Sequence, residues 1–183
     1  MPETKQRSIN AQRLRFAIWF AVTAGVLFTV YTFPYRESGM SESGFTAYLS
    51  WYARLTGHVL VLFDPSATVH GQDIVGRYNL RIVKSCDAME ANILFVAAVL
   101  AFPEPWKKRI IGVALGVPLL VAINVLRICS LYYVGIHLPK AFEFFHLELW
   151  PLVLIGSGAG AFLFWATWAA DRTVIARTIH AAP

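Results

Sequence analysis

Four stretches of this chain carry apolar side chains on every face rather than in a stripe: residues 16–33, 86–102, 110–134 and 150–169. Each approaches or exceeds the roughly 20 residues that an α-helix needs to cross a bilayer. A helix that is apolar all round has no polar side to turn to water, so these four read as transmembrane helices. Residues 44–63, GFTAYLSWYARLTGHVLVLF, show a different period. There Phe45, Tyr48, Tyr52, Leu55, Val59 and Leu62 recur at steps of three and four, with Arg54 and His58 among them. That is the pattern of an amphipathic helix lying at an interface. The step shortens to two in RYNLRIV, where Tyr78, Leu80 and Ile82 alternate with Arg77, Asn79 and Arg81. Such alternation predicts a short strand, pairing as a hairpin with residues 67–75. The expected fold is an all-α integral membrane protein of about four transmembrane helices, with an interfacial helix and a short extracytoplasmic β-hairpin.

Composition sharpens this reading. Hydrophobic residues make up 57% of the chain and charged residues 15%, and the mean hydropathy is +0.54. A soluble domain of this length would need more polar surface to cover its core. The 183 residues suit one domain, and no internal repeat or low-complexity segment is visible. A net charge of +5 would fit a nucleic-acid partner if the basic residues formed one surface. They gather instead beside the apolar runs: Lys5, Arg7, Arg13 and Arg15 before the first, Lys107, Lys108 and Arg109 between the second and third, Arg172 and Arg177 after the fourth. Four spans place all of these groups on one side, which the positive-inside tendency assigns to the cytoplasm. Counting residues 44–63 as a fifth span would move PEPWKKR outside. The first run is longer than a signal-peptide core and lacks an Ala-x-Ala cleavage site, so it reads as an uncleaved anchor. The expectation is a multi-pass protein of the cytoplasmic (inner) membrane, in contact with lipid and not with nucleic acid. Its extracytoplasmic segment covers residues 34–85.

Two cysteines make no disulfide framework or CxxC pair, and five histidines show no HxxH or HExxH spacing. Neither a metal nor an organic cofactor is expected. On the four-span topology Cys86 stands at the outer end of the second span. Arg127 lies in the third span about seven residues from its outer end, roughly 10 Å deep at 1.5 Å per residue. His146, in FEFFHLELW, immediately precedes the fourth span at the same boundary. A thiol, a guanidinium and an imidazole on one face are the parts of an acyl-transfer site. Each also has a plain reading. A lone membrane cysteine is ordinarily a packing residue, and an interfacial histidine a boundary residue. An arginine inside a span costs about 2.5–3.5 kcal/mol to insert, so a functional or paired role is its default, with snorkelling as the alternative. His137 and Cys129 are weaker candidates; Cys129 is two residues from Arg127 and faces nearly the opposite way. Ser85 is positioned to cap the second span, which would place Cys86 in its first turn, where the helix dipole favours a thiolate. Lys84 acts in the same direction, and Asp87 and Glu90 oppose it. Glu90, one turn below Cys86, is at a depth to pair with Arg127.

Together, SCDAMEA at the start of one span, NVLRI within the next and a histidine before the last resemble the exosortase/archaeosortase family, and most of all exosortase H. The resemblance covers about residues 60–170. Cys86, Arg127 and His146 match the family's proposed triad, with Asp87 and Glu90 of the CDxxEA motif and Asn124 of NVLR as supporting positions. The commoner signature has Ser-Gly after the cysteine, where this chain has Asp87-Ala88. The resemblance implies a membrane-embedded cysteine transpeptidase without a cofactor. Its substrates would be exported proteins ending in a short motif, a transmembrane helix and a basic tail, of the IPTL-CTERM kind. Two other readings remain open at this level: a thiol-disulfide exchange protein using Cys86 and Cys129, and a non-enzymatic membrane assembly subunit in which Arg127 and Glu90 form a structural ion pair.

Overall fold

The computed structural model describes residues 2–32 and 40–180, with the side chains of residues 10–32, 46–84 and 86–170. Lys5, Arg7, Phe45, Ser85, Arg172 and Arg177 fall outside the described side chains, and residues 33–39 outside the described backbone. The order of elements is α1 (Pro2–Thr32), α2 (Met40–Leu60), β1 (Thr68–His70), β2 (Asp73–Val75), β3 (Leu80–Arg81), a 3-10 turn (Lys84–Cys86), α3 (Met89–Ala101) and α4 (Trp106–His137). A second 3-10 turn (Pro139–Ala141), one α-helical turn (Phe142–Phe144) and a π-helical turn (Phe145–Leu149) then lead into α5 (Trp150–His180). Among the described residues, three segments are long and apolar enough to cross a membrane: Asn10–Thr32, Trp106–His137 and Pro139–Ala170.

The expected second span is shorter than the sequence indicated. Its helix covers the 13 residues of α3, about 20 Å at 1.5 Å per residue, against a hydrocarbon core of roughly 30 Å. The cause lies at its start. Asp87 Oδ1 accepts the Met89 amide at 2.9 Å, and Ala88 sits at φ 52°. A left-handed residue cannot belong to a right-handed helix, so α3 begins after it. Cys86 therefore lies in the 3-10 turn that precedes α3, not in the helix's first turn, and the dipole argument made for it does not hold.

The chain divides into two compact units. The first comprises Met1–Tyr31, Glu90–Val117 and Gly158–Pro183. Inside it, Phe16, Phe102, Phe162 and Trp165 cluster with ring centroids 5.7–6.3 Å apart. Gly112 and Gly116, one helical turn apart on α4, receive the Trp165 indole and the Phe95 ring; a Cβ at either would stand within 2.6 Å of an aromatic atom. This is the small-residue packing by which helices approach closely in lipid, where no hydrophobic force drives them together. The turn between α3 and α4 consumes two of its three cations. Arg109 donates to the carbonyls of Leu100 (2.9 Å) and Glu104 (2.7 Å), and Lys108 pairs with Glu104 (2.9 Å) and donates to the Ala169 carbonyl. These bonds satisfy backbone acceptors that helix ends leave open. The outer face of α1 exposes Leu14, Ile18, Trp19, Val22, Val26 and Val30, an apolar strip that only lipid solvates without penalty.

The second unit comprises Thr32–Met89 and Pro118–Ser157. Its core joins Leu49, Tyr52, Ala53 and Leu60 of α2, Ala67, Ile74 and Ile82 of the strand region, and Val125, Ile128, Cys129 and Tyr132 of α4. The α4 positions recur at three and four residues, so one stripe faces this core. On α2 the buried stripe runs through Leu49, Tyr52, Ala53, Thr56 and Leu60. Leu62, expected on that face, is 77% exposed because α2 ends at Leu60. In the strand region Tyr78 and Leu80 are half-buried and Ile82 buried, while Arg77, Asn79 and Arg81 are exposed, as the alternation predicts. The expected hairpin is a three-stranded antiparallel meander, β1-β2-β3, with Val69 opposite Ile74 and Ile74 opposite Leu80. Tyr132 pins it to α4: its buried hydroxyl donates to Asp64 Oδ2 and accepts the Arg77 amide, each at 2.9 Å. Gly76 makes this approach possible, since a Cβ there would stand 2.5 Å from the Tyr132 oxygen.

Candidate active site

Cys86 is 5% exposed, and its backbone is held on both sides. Its amide donates to the Val83 carbonyl at 2.8 Å, closing the 3-10 turn. Its carbonyl accepts the Nδ2–H of Asn124 at 2.8 Å, a bond that links residues 38 positions apart. Asn124 is fully buried on α4, and its Oδ1 is 3.5 Å from Nη1 of Arg127, one turn further along. Arg127 is itself 3% exposed, with Cys86 and Asp87 as the ionisable neighbours that act on it. A guanidinium so far from water must be compensated by such neighbours. One carboxylate that acts on Arg127 is that of Asp87, itself 2% exposed. Glu90 is exposed in the first turn of α3, because the helix starts later than the sequence indicated.

His146 completes the group. Its Nε2 is 3.8 Å from Cys86 Sγ, a contact between residues 60 positions apart. It sits in the π-helical turn rather than in a loop, its ring against Phe142 at 5.7 Å between centroids. The wider turn has a readable cause. Pro151 has no N–H to bond the carbonyl four residues before it, so the ladder must rearrange there. The Trp150 amide bonds Phe145, five residues back. A π-turn shifts the side chains ahead of it relative to an α-helix and is frequent at functional sites.

Cys86 and His146 both line a pocket of about 220 Å³ whose other walls include Leu80, Arg81, Val83, Ile128 and Phe142. His137 lies elsewhere, exposed at the end of α4 and stacked on Tyr133. Cys129 is a buried free thiol in the hydrophobic core. Cys86 is likewise unbonded. Sequence reasoning missed the link of Tyr132 to Asp64 and Arg77. The signal for the Asp64 half is the DPS turn, in which Asp64 Oδ1 accepts both the amide (3.1 Å) and the hydroxyl (2.6 Å) of Ser66.

A match to the transmembrane exosortase family runs over residues 10–166, most of the chain. The chain belongs to that family. No curated protein and no solved structure matches it. As an exosortase it is a membrane protein, and at the family level a sorting-related peptidase or transpeptidase. The exosortase match spans every element that carries Cys86, Asn124, Arg127 and His146.

Proposed function

We propose that the protein, acting as one module over residues 1–183, is a cysteine transpeptidase. It removes the carboxy-terminal sorting signal of exported proteins of the IPTL-CTERM kind at the outer face of the cytoplasmic membrane. The observation that carries the reading is the 3.8 Å contact between Cys86 Sγ and His146 Nε2, beside the Asn124–Arg127 pair. In the first half-reaction the thiol proton passes to Nε2 and the sulfur attacks the peptide carbonyl carbon. The carbonyl oxygen becomes an oxyanion facing the Arg127 guanidinium. Collapse breaks the C–N bond, and the imidazolium returns its proton to the leaving amine, which leaves a thioester on Cys86. An acceptor N–H or O–H then loses its proton to Nε2, attacks the thioester and restores the thiol. Asn124 acts as a supporting residue: through the Cys86 carbonyl it positions the turn. Asp87 caps α3 and balances Arg127.

The test is co-expression with a reporter that ends in such a motif, helix and basic tail, followed by mass spectrometry of the new carboxy terminus. Processing should require Cys86 and survive Cys129→Ala. Cys86→Ser should be nearly inactive, since an alcohol is a far weaker nucleophile near neutral pH. Processing that persists in Cys86→Ala would refute the reading, and an equal loss in Cys129→Ala would favour thiol-disulfide exchange instead.

A further inference from the structure

Resting on that reading, we infer that the extended substrate segment ahead of the cleaved protein's membrane helix binds by adding a strand to the outer edge of β3. The direction of the backbone groups carries the inference. The Ile82 amide donates to Gln72 at 2.9 Å, and Leu80 pairs with Ile74. Hydrogen-bonded and non-hydrogen-bonded positions alternate in an antiparallel ladder, so the N–H and C=O of Arg81, opposite Asp73, point away from β2. Among the described residues β3 pairs with β2 alone, which makes its other side a sheet edge. That edge is not an arbitrary piece of surface. Leu80, Arg81 and Val83 line the same pocket as Cys86 and His146. From Arg81 to Val83 the chain advances about 7 Å in extended form and then turns into the nucleophile.

An occupant of one kind fits this arrangement. A segment that presents a carbonyl to a thiol gives up water around its neighbouring backbone groups, and strand addition satisfies those groups without reading sequence. Alternate side chains of an added strand point to one side, here into the apolar pocket floor formed by Ile128 and Phe142. Main-chain bonds would thus hold the segment while the pocket reads every second residue. The Arg81 side chain takes no part. It is 69% exposed and spans back to Asp73 at 3.5 Å.

The test uses the full chain in detergent micelles and a synthetic peptide copying the reporter's segment ahead of its helix. Peptide binding is read as protection of Cys86 from maleimide alkylation, which needs no turnover. Single N-methyl groups are walked along the peptide. Strand addition predicts a period of two, with every second N-methyl weakening protection about five- to tenfold, the loss expected for one backbone hydrogen bond, and the others having little effect. Uniform tolerance or uniform sensitivity would overturn it. On the protein side, Arg81→Pro and Arg81→Ala both remove the side chain and its Asp73 pairing, but Arg81→Pro also removes the outward N–H, a change that edge strands accommodate, whereas Arg81→Ala keeps it. The reporter KM of Arg81→Pro should exceed that of Arg81→Ala about fivefold at similar kcat, and equal KM values would overturn the proposal. Should Arg81→Pro lose its fold, the N-methyl walk decides alone. If wild-type protein binds the peptide with the period of two yet leaves the reporter uncut, the transpeptidase reading fails and the docking edge stands.

Discussion

Asn124→Ala is the sharpest test of how the nucleophile is held. Asn124 is fully buried, and its 2.8 Å bond to the Cys86 carbonyl ties the backbone of the turn that carries the sulfur to α4. Truncation leaves that carbonyl without its donor in a buried place, at a cost of about 1–3 kcal/mol. The turn has two ways to respond. It can keep its geometry and bear the cost as lost stability, or swing the carbonyl toward water and move the sulfur with it. Residues 84–86 form only one 3-10 turn, with the Cys86 amide on Val83 (2.8 Å) and the Asp87 amide on Lys84 (3.5 Å), so the second response is the easier. A displacement of about 1 Å at a reacting atom can cost on the order of 10²-fold in rate. The expected result is a fall of that order in the single-turnover rate of acyl-enzyme formation, measured by quenched flow with the tailed reporter. Reporter KM should stay within about twofold, because Asn124 is not among the pocket residues. Asn124→Asp keeps the shape but turns an acceptor toward the carbonyl and should be at least as slow. A wild-type acylation rate in a folded Asn124→Ala protein would refute the positioning argument.

Arg127→Lys should insert normally but lose about 10²- to 10³-fold in acylation rate, since an ammonium lacks the planar fork of donors; near-normal turnover would make Arg127 structural. Tyr132→Phe removes the acceptor of the Arg77 amide and should cost about 1 kcal/mol or more of stability by thermal denaturation, with no loss expected if the meander is held from elsewhere. Asp64 gives this region an acid limit. The Ser66 hydroxyl first, and the Tyr132 hydroxyl after it, hold its carboxyl below the ordinary range. Its contribution is therefore complete above the unfolded value of about 3.9 and is lost as pH falls through the depressed folded value. Asp64→Asn should accordingly lower the melting temperature at pH 7 but not at strongly acidic pH. Gly116→Ala sets a Cβ 2.1 Å from Phe95 and should cost about 1–3 kcal/mol by overpacking; Phe95→Leu should recover part of that, and strict additivity would show that the two do not touch.

What was legible in the sequence follows from which forces leave a period. Lipid solvation acts on every residue of a span, so the runs around residues 16–33, 110–134 and 150–169 announce α1, α4 and α5. The alternation in RYNLRIV fixed the faces of β3 because a sheet buries every second side chain. Hydrogen bonds to single backbone atoms leave no such trace. Nothing periodic marks Asn124 as the partner of the Cys86 carbonyl or Tyr132 as the anchor of the meander. The later start of α3 has its origin in a single left-handed residue at position 88. One φ angle there moved the helix start by three residues.

That residue also sets what positions 87 and 88, here Asp-Ala, must do. Two tasks fall on these positions: a side chain that accepts the Met89 amide and a backbone with φ near +50°. In general a short polar side chain can do the first as a local acceptor, and glycine the second without a Cβ to clash. Here aspartate does the first and, being charged, also balances the buried Arg127; alanine does the second at about 1–2 kcal/mol of strain. Ala88→Gly should then leave processing intact and hold or raise the melting temperature, as relieved strain offsets the added freedom of the unfolded chain. Ala88→Val, β-branched at a left-handed position, should destabilise the turn and slow acylation. A destabilising Ala88→Gly alongside a tolerated Ala88→Val would mean that position 88 is not left-handed, and the account of why Cys86 stands outside the helix would fall with it.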